Sequence, residues 1–227
     1  MENLLEIDSV QLKFGDRTIL NNIYIQSKTG KVTGILGRNG CGKSCLLKLI
    51  YGEISTYEKS VRINGSVLLD DYRNRDDLRM LPQFNFLPKQ IKVIQAFKYF
   101  NVDYTKFCDL FNEFQSLSRL KIKELSGGNI RVIETYLILK SKSKFCLLDE
   151  PFSHLSPKNV EIFIEIVKQE KREKGIILTD HMYRDIVKVS DDLYVIKDCV
   201  SYKIDHVNKL NEYGYITSKK AAQGRLF

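Results

Sequence analysis

An eight-residue segment has the composition of a loop that binds phosphate. It reads Gly37-Arg38-Asn39-Gly40-Cys41-Gly42-Lys43-Ser44, which matches the spacing G-x-x-x-x-G-K-[ST]. Its glycines let backbone N–H groups turn towards phosphate oxygens, while Lys43 can reach terminal phosphates and Ser44 can ligate Mg²⁺. An apolar run precedes the loop and a helical pattern follows it. This context favours a phosphate site over a glycine-rich turn that matches by chance.

Two carboxylates follow a second apolar run, at residues 145–148. If this run is a strand of a parallel sheet, Asp149 lies at its C-terminal end and faces a metal ion bound near the phosphate loop. Glu150, one residue further, could then act as the general base that polarises an attacking water. Acidic residues also commonly cap strand ends before a turn. The phosphate loop elsewhere in the chain makes the catalytic interpretation the stronger one.

A third anion-binding pattern begins at Ser126. Ser126-Gly127-Gly128-Asn129 opens a predicted helix that runs to about Lys140. A hydroxyl group, free backbone N–H groups and the positive end of the helix dipole all favour an anion at such a turn. The sequence therefore predicts two phosphate-binding turns and one acidic strand end.

The elements that position these residues alternate between strands and helices. Apolar or alternating runs predict strands at 4–14, 18–25, 31–36, 61–63, 67–69, 78–81, 145–148 and 176–178. Residues 84–123 lack glycine and have a helical pattern, which suggests a helical insertion. Ser156-Pro157 predicts another helix start, and we expect Gly175 to end that helix. Interleaved strands and helices predict an α/β protein with a mainly parallel sheet.

Composition sets limits on the compartment and the partners. The chain has 227 residues, 43% of them hydrophobic, and a net charge of +8. It contains neither an apolar stretch of about 18 residues nor a signal-peptide pattern, so we expect a cytoplasmic protein. Its five cysteines are odd in number and lack CxxC spacing, which argues against disulfides and zinc. The basic surplus suits anionic partners but is spread along the chain.

Further motifs bring the chain to a resemblance. Gln83 follows an apolar run, Ser153-His154-Leu155-Ser156 follows the acidic pair, and His181 ends another apolar run. Together with the motifs above, in this order, the chain resembles the ATP-binding cassette (ABC) ATPases from about residue 4 to about residue 211. Within that family it looks most like single-cassette bacterial subunits, such as those of lipopolysaccharide export and branched-chain amino-acid uptake.

The resemblance implies a fold and a domain division. The fold is a P-loop NTPase of ABC type, in which a mainly parallel core sheet carries an N-terminal antiparallel β subdomain and an inserted helical subdomain. We expect the ATPase domain to cover residues 1–217, with the helical subdomain at about 84–130. A polar tail would follow at 218–227.

The resemblance also implies roles for individual residues, with ATP and Mg²⁺ as cofactors. Catalysis would involve Glu150, His181 and Lys43, and the metal ligands would be Ser44, Gln83 and Asp149. Nucleotide binding would involve Phe14, Gly37, Arg38, Asn39, Gly40, Cys41, Gly42, Lys43, Ser44, Cys45 and Gln83. The signature turn, Ser126, Gly127, Gly128 and Asn129, would act in trans on the ATP of a second cassette.

Three of these residues have plain alternatives when taken alone. Gln83 could be a surface glutamine, His181 could be structural, and Phe14, which would stack on adenine, could belong to the core. Two positions depart from the family pattern, since Asn129 stands where Gln is usual and Ser156 stands where Asp is usual. These departures could change the affinity of the composite site and the rate, but the hydrolytic residues are present and imply a competent ATPase.

The leading functional hypothesis is the ATPase subunit of a transporter whose membrane-spanning subunits are separate chains. It would act as a homodimer or heterodimer of cassettes, peripherally on the inner face of the cell membrane. Phe84, Phe86 and Leu87 could line a groove for a helix of the membrane partner, or they could pack inside the helical segment. The alternatives are an ABC ATPase acting on DNA or the ribosome, and a regulatory module. We expect no nucleic-acid partner.

Overall fold

The computed structural model describes residues 2–68, 77–181 and 183–214. The strands are β1 (Leu4–Phe14), β2 (Arg17–Lys28), β3 (Val32–Gly37), β4 (Ser60–Ile63), β5 (Ser66–Val67), β6 (Leu78–Leu81), β7 (Phe145–Asp149), β8 (Gly175–Thr179), β9 (Asp192–Lys197) and β10 (Val200–Ile204). The α-helices are α1 (Lys43–Tyr51), α2 (Val93–Tyr99), α3 (Tyr104–Leu110), α4 (Gly127–Lys140), α5 (Pro157–Glu170) and α6 (Tyr183–Val189). The predicted tail at 218–227 and the end of the predicted strand at 67–69 lie outside the described residues.

A largely parallel sheet forms the centre of the described fold. Its strand order is β10-β9-β3-β8-β7-β6, and every neighbouring pair is parallel except β9 and β10. All residues of β3, β7 and β8 are buried, as expected for strands covered on both faces. Because the strands are parallel, the C-terminal ends of β3, β6, β7 and β8 meet at one edge. The predicted α/β class with a mainly parallel sheet is confirmed.

Successive side chains of each strand lie on opposite faces of the sheet, so the apolar residues of the sheet belong to two separate hydrophobic cores. Ile35 and Leu147 pack with α1 and with a second, antiparallel sheet of order β2-β1-β4-β5. Leu36 and Leu148 pack on the opposite face, against α4, α5 and α6. This period-two division lets one sheet support both layers and fixes α1 and α4 on opposite faces of it.

Residues between β6 and β7 are mostly helical. They include α2, α3, two 3₁₀ turns (Asn112–Leu117 and Ile122–Glu124) and the start of α4. Rings at Phe97, Phe107, Phe111 and Phe114 form one buried cluster, and Tyr136 of α4 lies within it. Tilted and edge-on aromatic contacts of this kind fix the helical segment to α4.

One predicted helix end is wrong. The helix that begins after Ser156 is confirmed, and the Ser156 hydroxyl accepts the Asn159 N–H at 3.3 Å as its cap. The helix ends at Glu170, however, and Gly175 is the first residue of β8. A Cβ at this glycine would lie 2.6 Å from two ring carbons of Phe145 on β7. Gly175 is therefore needed for close strand packing.

Candidate functional site

The predicted phosphate loop connects β3 to α1. Gly40 and Gly42 have φ values of 77° and 103°, in the left-handed region that favours glycine. A Cβ at Gly42 would also lie 2.8 Å from Leu20 Cδ2. Cys41 lies between these glycines, and Cys45 lies in the first turn of α1. The loop thus ends at the N-terminus of a helix, where backbone N–H groups and the helix dipole favour an anion.

Lys43 carries its positive charge inside this loop. Its side chain is buried, and Nζ donates to the carbonyl oxygens of Gly37 at 2.8 Å and Arg38 at 3.4 Å. These two neutral acceptors leave the ammonium charge without a carboxylate partner among the hydrogen bonds it makes here. A phosphate oxygen entering the loop would supply that missing negative charge.

Ser44 and Asp149 form the polar pair next to the loop. Ser44 Oγ donates to Asp149 Oδ1 at 3.1 Å, while Oδ2 of the same carboxylate is buried without a hydrogen-bond partner among the described residues. Burial raises the pKa of Asp149, against the lowering effect of the Ser44 hydrogen bond. A buried carboxylate oxygen without a partner beside a serine hydroxyl fits the oxygen ligands and bound waters that Mg²⁺ prefers. The described residues contain no cluster of three or more His, Cys, Asp or Glu side chains suited to a metal ion.

Three predicted residues, Gln83, Glu150 and His181, come together around one carboxylate oxygen. Glu150 Oε2 accepts hydrogen bonds from Gln83 Nε2 at 3.1 Å and from Ser153 Oγ at 3.2 Å. The same oxygen lies 3.8 Å from His181 Nδ1. Gln83 and Glu150 are 67 positions apart in sequence, and the parallel sheet brings the segments that carry them to one edge.

The backbone also holds the Glu150 side chain in place. Glu150 has a φ of 50°, in the left-handed region, and its N–H donates to the Thr179 carbonyl at 2.8 Å. His181 Nδ1 lies 3.2 Å from Asp180 Oδ1, and Asp180 Oδ2 accepts the Phe152 N–H at 3.2 Å. A strained backbone conformation at a candidate catalytic residue is consistent with functional positioning, because such conformations persist only when their surroundings enforce them.

The Ser126 turn forms the exposed start of α4. Ser126 Oγ accepts the Asn129 N–H at 3.2 Å, so this hydroxyl caps the helix. Gly127 is exposed, and a Cβ there would have no atom within 4 Å. A Cβ at Gly128 would lie 3.3 Å from the His154 carbonyl oxygen. The turn thus has open space at Gly127 and borders the 153–156 segment at Gly128.

Arg131 is a site residue that the sequence interpretation missed. It is buried in α4, and its guanidinium donates to the carbonyl oxygens of Pro82 at 2.6 Å, Asp149 at 2.5 Å and Glu150 at 2.8 Å. Asp149 and Glu150 belong to the candidate active site, and Pro82 directly precedes Gln83. Burial lowers the pKa of Arg131, while the nearby carboxylates of Glu134 and Asp149 raise it. A charged residue within the apolar run of α4 was the available signal, since a buried charge requires partners.

Side-chain exposure decides the alternative for Phe14 and distinguishes the three apolar residues that follow Gln83. Phe14 is 53% exposed at the end of β1, which excludes a core position. Phe84 is 60% exposed and Lys48 Nζ lies 5.6 Å from its ring centroid, whereas Leu87 is buried. Phe86 and Leu87 line a cavity of about 610 Å³ together with Tyr51, Arg79, Met80, Pro88, Ile91, Gln95, Ala96, Tyr99, Phe100 and Ile138.

Comparisons with known proteins agree on one family. A sequence model described as "ABC transporter" matches residues 20–153. An uncharacterized ABC transporter ATP-binding protein of Methanocaldococcus jannaschii is 28% identical over 87% of this chain and 75% of its own length. A galactose/methyl galactoside import ATP-binding protein of Fusobacterium nucleatum is 29% identical over 93% of this chain, which spans only 46% of that relative. The solved ATP-binding subunit of an ABC transporter shares the fold, with a TM-score of 0.79, 18% identity and coverage of 96% and 98% of the two chains.

Proposed function

Because this chain belongs to the ABC transporter family, we propose that the cluster around Glu150 is the site at which it hydrolyses ATP. The chain is an ATP-binding and ATP-hydrolysing subunit that drives transport. The observation that carries the site assignment is the convergence of Gln83, Ser153 and His181 on Glu150 Oε2. That carboxylate oxygen lies at the sheet edge where the phosphate loop also begins.

The phosphates of ATP would bind between the loop and the N-terminus of α1. Lys43 would exchange its contacts with the carbonyls of Gly37 and Arg38 for terminal phosphate oxygens, gaining charge-assisted hydrogen bonds. Mg²⁺ would be held by Ser44, Gln83 and Asp149, and when bound it neutralises developing charge on the phosphates. The remaining nucleotide contacts would come from the backbone and side chains of Gly37, Arg38, Asn39, Gly40, Cys41, Gly42 and Cys45.

Glu150 would accept the proton of the attacking water. Two donors, from Gln83 and Ser153, hold its Oε2, and the bond from its N–H to Thr179 fixes its backbone. These contacts restrict the carboxylate to one orientation, which a general base needs. His181, whose Nδ1 lies 3.8 Å from the same oxygen, would contact the γ-phosphate and help to order this carboxylate. The exposed ring of Phe14 would stack on adenine.

Two cassettes would complete each other's sites. The exposed turn of Ser126, Gly127, Gly128 and Asn129 would bind the γ-phosphate held by a second chain, identical or related. The Asn129 backbone N–H donates to the Ser126 hydroxyl, and the Asn129 side-chain amide, one methylene shorter than that of the usual Gln, would reach less far towards the partner. Ser156, the other departure from the family pattern, retains a cap for α5 in place of the usual Asp.

The membrane-spanning subunits of the transporter would dock at the cavity near Phe86. Its lining is largely aromatic and aliphatic, which suits the apolar side of a short helix. The exposed ring of Tyr99 lines this cavity and would extend the contact. Such docking would place the chain on the inner face of the cell membrane. No helix of the described ranges combines the length and apolar character needed to cross a membrane.

A domain division accompanies this assignment. We assign residues 1–217 to one ATPase domain, and residues of about 84–130 to a helical subdomain that carries the signature turn and lines part of the docking cavity. The relatives reported above are named as transporter ATP-binding proteins, which favours transport over a role on DNA or the ribosome.

Site-specific photocrosslinking in native membranes tests the docking assignment. A photoreactive residue at Phe86 should crosslink to a protein with several membrane spans, identified by mass spectrometry. The matched control is the same residue at Tyr57, which is fully exposed and does not line the cavity. Equal crosslinking of the membrane protein from both positions, or crosslinking only from Tyr57, would contradict docking at this cavity.

A further inference from the structure

Glu134 is a buried carboxylate with no assigned role in hydrolysis. It lies in α4 with 0% exposure, and its Oε1 accepts the backbone N–H groups of Phe86 at 2.7 Å and Leu87 at 2.9 Å. Its Oε2 is buried and has no hydrogen-bond partner in the part of the chain that the structure describes. Burial raises the pKa of Glu134, and the two backbone hydrogen bonds oppose this effect. A carboxylate in such a position destabilises the fold unless its hydrogen bonds offset the loss of hydration.

The segment that Glu134 holds is also held at its other end by the same helix. Arg131, one turn earlier in α4, donates to the carbonyl of Pro82. Residues 82–87 are therefore attached to α4 at both ends. This segment contains Gln83 near one end, and Phe86 and Leu87 of the docking cavity at the other. The N-terminus of α4 is the Ser126 turn.

We propose that Glu134 is a positioning residue that links the docking cavity to the signature turn. This inference rests on the proposed function, because it takes the cavity as the docking site and the Ser126 turn as the ATP contact in trans. When ATP draws the turn onto a second cassette, α4 moves as a rigid rod. Glu134 carries the cavity wall at Phe86 and Leu87 with it. Docking at the cavity wall acts on the turn through the same two hydrogen bonds.

Substitutions at Glu134 distinguish a residue that couples the cavity to the Ser126 turn from one that only packs in the core. Glu134→Gln keeps a carbonyl oxygen for both N–H groups at nearly the same size. Glu134→Ala leaves both N–H groups without this acceptor, and Glu134→Asp shortens the side chain so that it cannot reach both. Thr135→Ala is the matched control, because Thr135 is also fully buried in α4 and its hydroxyl has no hydrogen-bond partner within residues 2–68, 77–181 and 183–214.

The test is amide hydrogen exchange of the full chain with and without Mg²⁺ and ATP, in a Glu150→Gln background that retains nucleotide. In the otherwise unchanged protein and in Glu134→Gln, ATP should slow exchange at Phe86 and Leu87 at least fivefold. The Thr135→Ala control should behave in the same way. In Glu134→Ala this slowing should disappear, while slowing at residues 37–44 and 126–129 remains. If Glu134→Ala does not fold, Glu134→Asp should give the same result.

Two outcomes overturn the inference and can be distinguished from failure of the proposed function. One is that ATP slows exchange at Phe86 and Leu87 in Glu134→Ala by a factor within twofold of that in the parent protein. If only Glu134→Asp folds, the same criterion applies to that variant. The other is a parent protein in which ATP protects residues 37–44 and 126–129 but leaves Phe86 and Leu87 unchanged. A parent in which ATP protects neither 37–44 nor 126–129 would instead remove the proposed nucleotide site and, with it, the basis of the link.

Discussion

Replacing Arg131 by Met should destabilise the protein by about 3 kcal/mol. The change keeps an apolar side chain of similar length and removes three charge-assisted hydrogen bonds to the carbonyls of Pro82, Asp149 and Glu150. At the lower end of the range for charged donors, these bonds are together worth about 4.5 kcal/mol. Removing the buried guanidinium also recovers part of its desolvation penalty, roughly 1.5 kcal/mol, which leaves a net loss of about 3 kcal/mol.

Urea denaturation followed by circular dichroism measures this loss. For a protein of this size, with a slope of about 2–3 kcal/mol/M, the midpoint should fall by about 1–1.5 M. Arg131→Lys should lie between Met and the parent, because one ammonium cannot span all three carbonyls. Arg184→Met, at an exposed arginine of α6, is the control and should change stability by less than about 0.5 kcal/mol. A loss below 1 kcal/mol for Arg131→Met would refute the stabilising role of the three Arg131 hydrogen bonds.

Three further predictions concern ATP binding, assembly and pH. Lys43→Ala should weaken ATP binding by about 1.5–3 kcal/mol, a roughly 10- to 150-fold rise in Kd, whereas Lys48→Ala in the same helix should not. Equal ATP affinities of the two variants, measured by calorimetry, would contradict this prediction. Ser126→Arg should leave ATP binding by the monomer nearly normal but abolish ATP-driven dimerisation in light scattering; a tenfold loss of monomer affinity would exclude the in-trans role. Burial raises the pKa of Tyr136 to about 12, so the stability that this tyrosine contributes is full below pH 10 and is lost as the pH rises through 10–12. The denaturation midpoint of Tyr136→Phe should therefore fall less over that window than the midpoint of the unchanged protein. Equal falls of the two midpoints would contradict the raised pKa of Tyr136.

Functional motifs whose residues are adjacent in sequence could be predicted from the sequence alone. The phosphate loop, the acidic strand end and the Ser126 turn are contiguous motifs, so their types and spacing predicted their local structure. The buried strands were recognisable because period-two and fully apolar runs report directly on burial.

Contacts between distant segments could not be predicted in this way. Arg131 reaches a carbonyl 49 positions away, and Glu134 binds N–H groups 48 and 47 positions away, so neither contact leaves a local pattern. Gly175 was misinterpreted because a helix-ending glycine and one required for packing against Phe145 look the same in sequence. The exposure of Phe14 was likewise decided by the sheet and not by its residue type.

The most direct test of the account is ATP turnover by Glu150→Gln. The amide keeps an oxygen that can accept the hydrogen bonds of Gln83 and Ser153, but it removes the base and its negative charge. Turnover should fall about 10²- to 10⁴-fold, while ATP affinity stays within about threefold and an ATP-bound dimer accumulates. Glu161→Gln, at an exposed carboxylate paired with Lys188, should retain full activity. Turnover of Glu150→Gln within threefold of the unchanged protein would contradict the assignment of Glu150 as the general base.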